Sequence, residues 1–185
     1  MQAQQGLIKE NEFVASETKQ EYDYWCVYAC LESIESSSSQ CEACDSYIND
    51  YLTYSSNPYG SLMSDDDFDE VMALYMNENS PEKPCDSPEK FGDFGVVGKD
   101  LNDFLKDNNL KQVDAEHLII CILQKPEVEV SSAYLLVENN LDGAGHCVVL
   151  SRSEYYNNSW NDPNSHLYIM DPATGNEEEI DYVDL

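Results

Sequence analysis

Seven cysteines and three histidines are the side chains of this 185-residue chain best suited to covalent or proton-transfer chemistry. Among the cysteines, Cys26 has the most informative surroundings. The stretch Gln20-Glu21-Tyr22-Asp23-Tyr24-Trp25-Cys26 runs directly into Val27-Tyr28-Ala29-Cys30-Leu31-Glu32-Ser33-Ile34. There Val27, Cys30, Leu31 and Ile34 fall at i, i+3, i+4 and i+7, the stripe of an amphipathic helix facing a core. That spacing puts Cys26 at or just inside a helix N-terminus, where unpaired backbone N–H groups and the macrodipole favour an anion. The anionic thiolate is the nucleophilic form of cysteine. Gln20, six residues upstream, can aim an amide at the same point. An amide donor beside the nucleophile's own N–H is how an oxyanion hole is built.

A nucleophilic thiol needs a base. His146 follows Gly143 and Gly145 and opens the apolar run Cys147-Val148-Val149-Leu150, so a buried strand would hold its imidazole rigidly. His166 opens a strand after a polar loop and reads as a surface residue, and His117 lies off the stripe of an expected helix. An imidazole base also needs an acceptor at its other nitrogen. Asp171 ends the strand Leu167-Tyr168-Ile169-Met170, and Pro172 bars its continuation. If the two strands pair as a hairpin, Asp171 lies beside His146. An Asp-Pro pair is also a common turn former, so Asp171 taken alone supports either role. Gln20, Cys26, His146 and Asp171 together compose a Cys-His-Asp triad with an oxyanion donor.

These residues must be positioned by helices in the first two-thirds and antiparallel strands in the last third, an α+β arrangement. Residues 1–17 show no period and are expected to be an N-terminal arm, anchored by Phe13 and Val14. A single domain is expected over 18–185. The Cys26 helix should stop in the Ser36–Ser39 run. A second helix is expected from Gln40 to about Tyr54, with Ala43, Tyr47, Ile48 and Tyr51 on one face. Ser64 should cap a third, with Asp65, Asp66 and Asp67 in its first turn and Phe68, Val71, Met72 and Tyr75 as its stripe. Residues 77–98 carry Pro81, Pro84, Pro88, Gly92 and Gly95 and read as a long loop able to wall a substrate groove. A short helix is expected over 100–106. Asp114 should cap another, with Ala115, Leu118, Ile119 and Ile122 as its stripe. Strands follow at Val128, Val130 and Tyr134–Val137, at 146–150, at 166–171 and at 178–183.

Composition restricts the functional classes. Hydrophobic content of 42% with 11% aromatics describes a globular domain. No apolar run reaches the roughly 18 residues a membrane span needs, and the first residues lack the pattern of a signal peptide. Acidic residues number 37 against 9 basic, a formal net charge of −28. Such a surface repels nucleic acid and anionic membranes and favours a basic protein or peptide as partner or substrate. The same charge is also consistent with solubility or adaptation to salt. Cys30, Cys121 and Cys147 sit on apolar stripes or strands and read as core residues. Cys41-x-x-Cys44 has half the spacing of a zinc site, but no second pair follows. The two can instead form a redox pair, or one can pair with Cys85. An odd set of thiols leans towards a reducing compartment, so a cytoplasmic or delivered protein is the expectation.

The three stretches Gln20-x5-Cys26, Gly145-His146-Cys147-Val148-Val149-Leu150 and Leu167–Gly175 resemble the papain-like cysteine peptidases. Within that clan the chain is most similar to compact bacterial members, which include plant-pathogen effector proteases and bacteriocin-leader peptidases. Trp25-Cys26-Val27-Tyr28-Ala29-Cys30 and Gln40-Cys41-Glu42-Ala43 fit the same group. The resemblance implies a papain-like fold in which the Cys helix packs on a C-terminal antiparallel sheet. It further implies Cys26 as nucleophile, His146 as base, Asp171 as orienting acid and Gln20 in the oxyanion hole, with a peptide substrate and neither cofactor nor metal. Two rival readings are an acyltransferase or transglutaminase-like enzyme using the same triad, and a non-catalytic acidic binding protein.

Overall fold

A computed structural model of the chain describes residues 7–12, 15–34, 38–52, 56–108, 110–115, 118–123, 133–138, 145–156 and 162–181. For β1 to β4 below, the backbone alone is described. The architecture is α+β. In chain order the elements are β1 (Leu7–Glu12), α1 (Cys26–Ile34), α2 (Gln40–Tyr51), α3 (Asp65–Tyr75), α4 (Gly98–Asp107), β2 (Leu110–Ala115), β3 (Leu118–Leu123), β4 (Ala133–Glu138), β5 (Gly145–Tyr156), β6 (His166–Asp171) and β7 (Asn176–Asp181). The strands form one antiparallel sheet in the order β2-β3-β4-β5-β6-β7. The long β5 pairs with β4 over Gly145–Leu150 and, on the same side further along, with β1 over Arg152–Tyr156.

Helix α1 packs against β5 and α2. Eight of its nine residues are buried, all but Glu32. A one-sided stripe was the expectation, and a helix apolar nearly all round is instead the mark of a central helix. What covers its second face is the segment 77–97. It is the irregular segment its breakers indicate, and it also delivers Phe91 and Phe94, both fully buried, into the main core with Trp25, Tyr28 and Tyr47. Its buried carbonyls would be costly there without donors. Trp25 Nε1 donates to the Phe91 carbonyl at 3.0 Å, Tyr28 Oη to that of Phe94 and Tyr59 Oη to that of Gly95 at 3.0 Å. The backbone approaches so closely that a Cβ at Gly95 would sit 2.5 Å from the Tyr24 carbonyl oxygen.

The helix starts follow local chemistry. Ser39 caps α2 in a full capping box with Glu42, and Ser64 caps α3 by accepting the Asp67 N–H at 3.1 Å. Helix α4 spans the expected 100–106.

The helix expected after Asp114 is absent. Leu110–Ala115 and Leu118–Leu123 form a hairpin instead, paired from Leu110↔Leu123 to Ala115↔Leu118. The run Leu-Ile-Ile-Cys-Ile-Leu is short, apolar throughout and carries three β-branched Ile, which suits a strand with neighbours on both sides. The apolar spacing fitted both periods, and sheet pairing decided between them. The N-terminal arm is also corrected in part. Leu7–Glu12 is a strand of the sheet, whereas Phe13 and Val14 lie outside the described residues, as do His117, Val128, Val130 and Gly143.

Cys41 is bonded to Cys85, one of the pairings the spacing left open. With its sulfur committed, Cys41 can serve neither a zinc site nor a redox pair with Cys44. The disulfide also removes the thiol count as an argument for a reducing compartment. Among the described residues, no helix is long and apolar enough to cross a membrane.

Candidate active site

Cys26 is the first residue of α1, among the residues whose backbone N–H groups have no partner within the helix. Its position is set from both sides. Trp25, fully buried, is fixed through its indole N–H to the segment 77–97, and its own N–H bonds the Tyr22 carbonyl at 3.0 Å. Below the sulfur, α1 is locked between β5 and α2. Cys26, Cys30, Cys44 and Cys147 take no part in a disulfide. All four are buried; Cys26 is 8% exposed, whereas Cys30 and Cys44 are at 0% and Cys147 is at 1%, so among these four Cys26 lies nearest to solvent. Burial pushes the Cys44 thiol up. The Cys147 thiol is raised by its hydrogen bond with Cys30 and by burial, which leaves it inert.

His146 is the second residue of β5, against α1. Asp171 ends β6, which pairs with β5 through Val149↔Met170. Continued past that pair, the register sets Asp171 diagonal to His146 on one face, within reach of a side-chain contact. His146 Nε2 and Asp171 Oδ1 are 2.6 Å apart, the length of a charge-assisted bond. That leaves Nδ1 for Cys26, which lies close enough to raise the imidazole. The imidazole is pushed up from its ordinary 6.5 to about 9, first by the Cys26 bond and then by Asp171, with burial opposing both. An imidazole held protonated between a thiol and a carboxylate can carry its proton to a leaving group.

The two readings of Asp171 coincide. Its Oδ1 also accepts the Ala173 N–H at 2.8 Å, and its carbonyl accepts from Gly175 at 2.7 Å. The turn former and the histidine partner are one oxygen. The turn demands a left-handed residue, met by Gly175 at φ +76°, where a Cβ would also strike Lys19. So the turn carrying Asp171 packs against the residue before Gln20, and the Gln20 N–H donates to the Pro172 carbonyl at 2.8 Å.

Gln20 is thereby brought to the site, but its amide does not point at an open space. Nε2 donates to the carbonyls of Tyr22 at 3.1 Å and Asp23 at 2.9 Å, in the turn that leads into Cys26. To serve an oxyanion, one of those hydrogens must exchange its carbonyl for the substrate oxygen. His166 stands apart, paired with Glu179 at 2.9 Å. Sequence reasoning missed Gln40. A polar residue at a helix start reads as exposed, yet Gln40 is buried and binds the backbone on both sides of Gln20. Trp25 and Phe91 were missed as the brace behind the cysteine, although a Trp adjoining a reactive-looking Cys was a usable signal. No protein-family model matches the chain, and neither a curated protein nor a solved structure does.

Proposed function

We propose that the chain is a cysteine peptidase of papain-like architecture that hydrolyses peptide bonds through a Cys26-His146-Asp171 triad. One observation carries the reading: a single imidazole, raised by the helix-start thiol of Cys26, has a strand-end carboxylate 2.6 Å from its Nε2. With its proton held on His146 as an ion pair, Cys26 attacks the scissile carbonyl carbon as the thiolate. The backbone N–H of Cys26 and the Gln20 amide bind the developing oxyanion. His146 protonates the departing amine, leaving a thioester on Cys26, and then takes a proton from water as that water attacks the thioester. The products are the free acid and the regenerated thiol. Asp171 holds the imidazole in one orientation and stabilises its charge throughout.

The test is hydrolysis of labelled casein by the unsubstituted protein and by Cys26→Ala, with mass spectrometry of iodoacetamide-treated protein alongside. Cleavage that disappears in the variant, with Cys26 alkylated first, supports the reading. Undiminished cleavage, or preferential labelling of another cysteine, would refute it. If added amine is built into the products in place of free acid, the triad serves acyl transfer.

A further inference from the structure

Gln40 is the first residue of α2 and only 2% exposed. A buried primary amide is tolerated when its donors and acceptor are all engaged. Its Oε1 accepts the Glu21 N–H at 2.9 Å. Its Nε2 donates to the Lys19 carbonyl at 2.9 Å and to the Glu32 carboxylate at 2.7 Å. One side chain therefore grips the peptide groups immediately before and after Gln20. The third polar group of the stretch, the Gln20 N–H, is held by Pro172. Glu32 belongs to α1, the helix whose first residue is Cys26, so Gln40 references the Gln20 backbone to the nucleophile's own helix. The Ser39–Glu42 capping box fixes the backbone from which Gln40 projects.

We propose that Gln40 is a positioning residue for the oxyanion side of the site, acting through the backbone of residues 19–21 to set where the Gln20 amide lies relative to Cys26. This rests on the reading of Gln20 and Cys26 as peptidase machinery. The Gln20 side chain begins bonded to its own turn, so the step that frees one N–H for the oxyanion depends on its backbone staying still. A displacement of about 1 Å at a reacting group can cost on the order of 100-fold in rate. Gln40 touches neither the thiol nor the imidazole, so its removal should spare the nucleophile itself.

Two probes separate those halves. Alkylation of Cys26 by iodoacetamide is a displacement at carbon that uses no oxyanion hole. Acylation by p-nitrophenyl acetate passes through a tetrahedral oxyanion and releases p-nitrophenolate. In Gln40→Met the acylation rate should fall by about 10- to 100-fold, with alkylation within about twofold of the unsubstituted protein. Glu32→Gln leaves both backbone bonds of Gln40 in place and should lose no more than about threefold, which also guards against a Gln40→Met protein that fails to fold. In a Gln20→Ala background, Gln40→Met should cost nothing further, since the group it positions is gone. Hydrogen exchange at the Glu21 amide should accelerate in Gln40→Met whatever the activity.

An equal loss in both backgrounds, parallel losses of acylation and alkylation, or an unchanged acylation rate would each overturn the inference. Failure of the peptidase reading is distinguishable, because it appears in the protein without any change at Gln40, as acylation that survives Cys26→Ala.

Discussion

The two halves of the candidate site are held by different physics. Cys26 stands on a helix buried on nearly every side, behind an indole fully enclosed by Phe91, Tyr22 and Tyr28. Its position is a by-product of the core and cannot change unless the core repacks. His146 and Asp171 lie at the margin of the sheet, with side chains 32% and 20% exposed, and are held chiefly by hydrogen bonds. The thiol is thus fixed by volume, and the imidazole–carboxylate pair by polar geometry open to solvent. The first half should report damage as lost stability or lost reaction altogether. The second should report it as graded changes in rate and pH dependence.

The sharpest way to break this comparison is at its junction. Cys26→Ala removes one sulfur from a site that otherwise stays packed, so turnover should fall by at least about 10⁴-fold with folding nearly unchanged. Casein hydrolysis and a urea unfolding curve, measured on the same sample, decide it. Comparable turnover would remove Cys26 from the chemistry.

Next in size is the disulfide. Cys41–Cys85 closes a loop across a sequence separation of 44 and ties the first turn of α2 to the segment that braces Trp25. Chain-entropy reasoning for a loop of that length gives about 4 kcal/mol, or roughly 10³ in the folding equilibrium. Cys85→Ser should show this loss in urea unfolding, with the pH dependence of the surviving native protein unaltered. If the pH profile moves with stability, the two halves are not independent.

What could be read in the sequence divides along the same line. The α1 start, the Ser64 cap, the strand 166–171 and the meeting of Asp171 with His146 were legible because each rests on a local rule: a spacing, a capping side chain, a proline stop. The hairpin over 110–123 was not, because a six-residue apolar run fits either period and the choice belongs to strands far along the chain. Nor was the segment 77–97 legible as core. Pro and Gly advertise a loop, and Phe91 and Phe94 are only two apolar residues among them. The bracing role of Gln40 was not legible either, since its partners lie on α1 and on the segment around Gln20.

On the polar side, Asp171→Asn should cost about 100-fold in hydrolysis, at the lower end of what acid–base catalysis contributes. The loss should fall on kcat with little change in KM, because Asp171 orients the imidazole without contacting substrate. It should also lower the protonation point of His146, since the carboxylate is one of the groups that raises it. Thermal stability at neutral pH should drop only slightly, given the exposure of the pair. A large drop in Tm would make Asp171 a structural turn residue first, and Ala173, which shares its oxygen, would be the partner that matters.

The smallest effect is the pH dependence itself. His146 is raised from 6.5 to about 9 in the folded chain, so it binds its proton more tightly folded than unfolded. The resulting stabilisation is complete below about pH 6.5 and fades as pH rises towards 9. Hydrolysis should fall on the same limb, because loss of the imidazolium removes the acid that protonates the leaving amine. Alkylation by iodoacetamide needs no such acid and should persist above pH 9. In Asp171→Asn the hydrolytic limb should move to lower pH while the alkylation rate holds. A limb that stays near 9 in that variant would mean that the Cys26 bond alone sets the protonation of His146, and the polar half would then depend on the packed one.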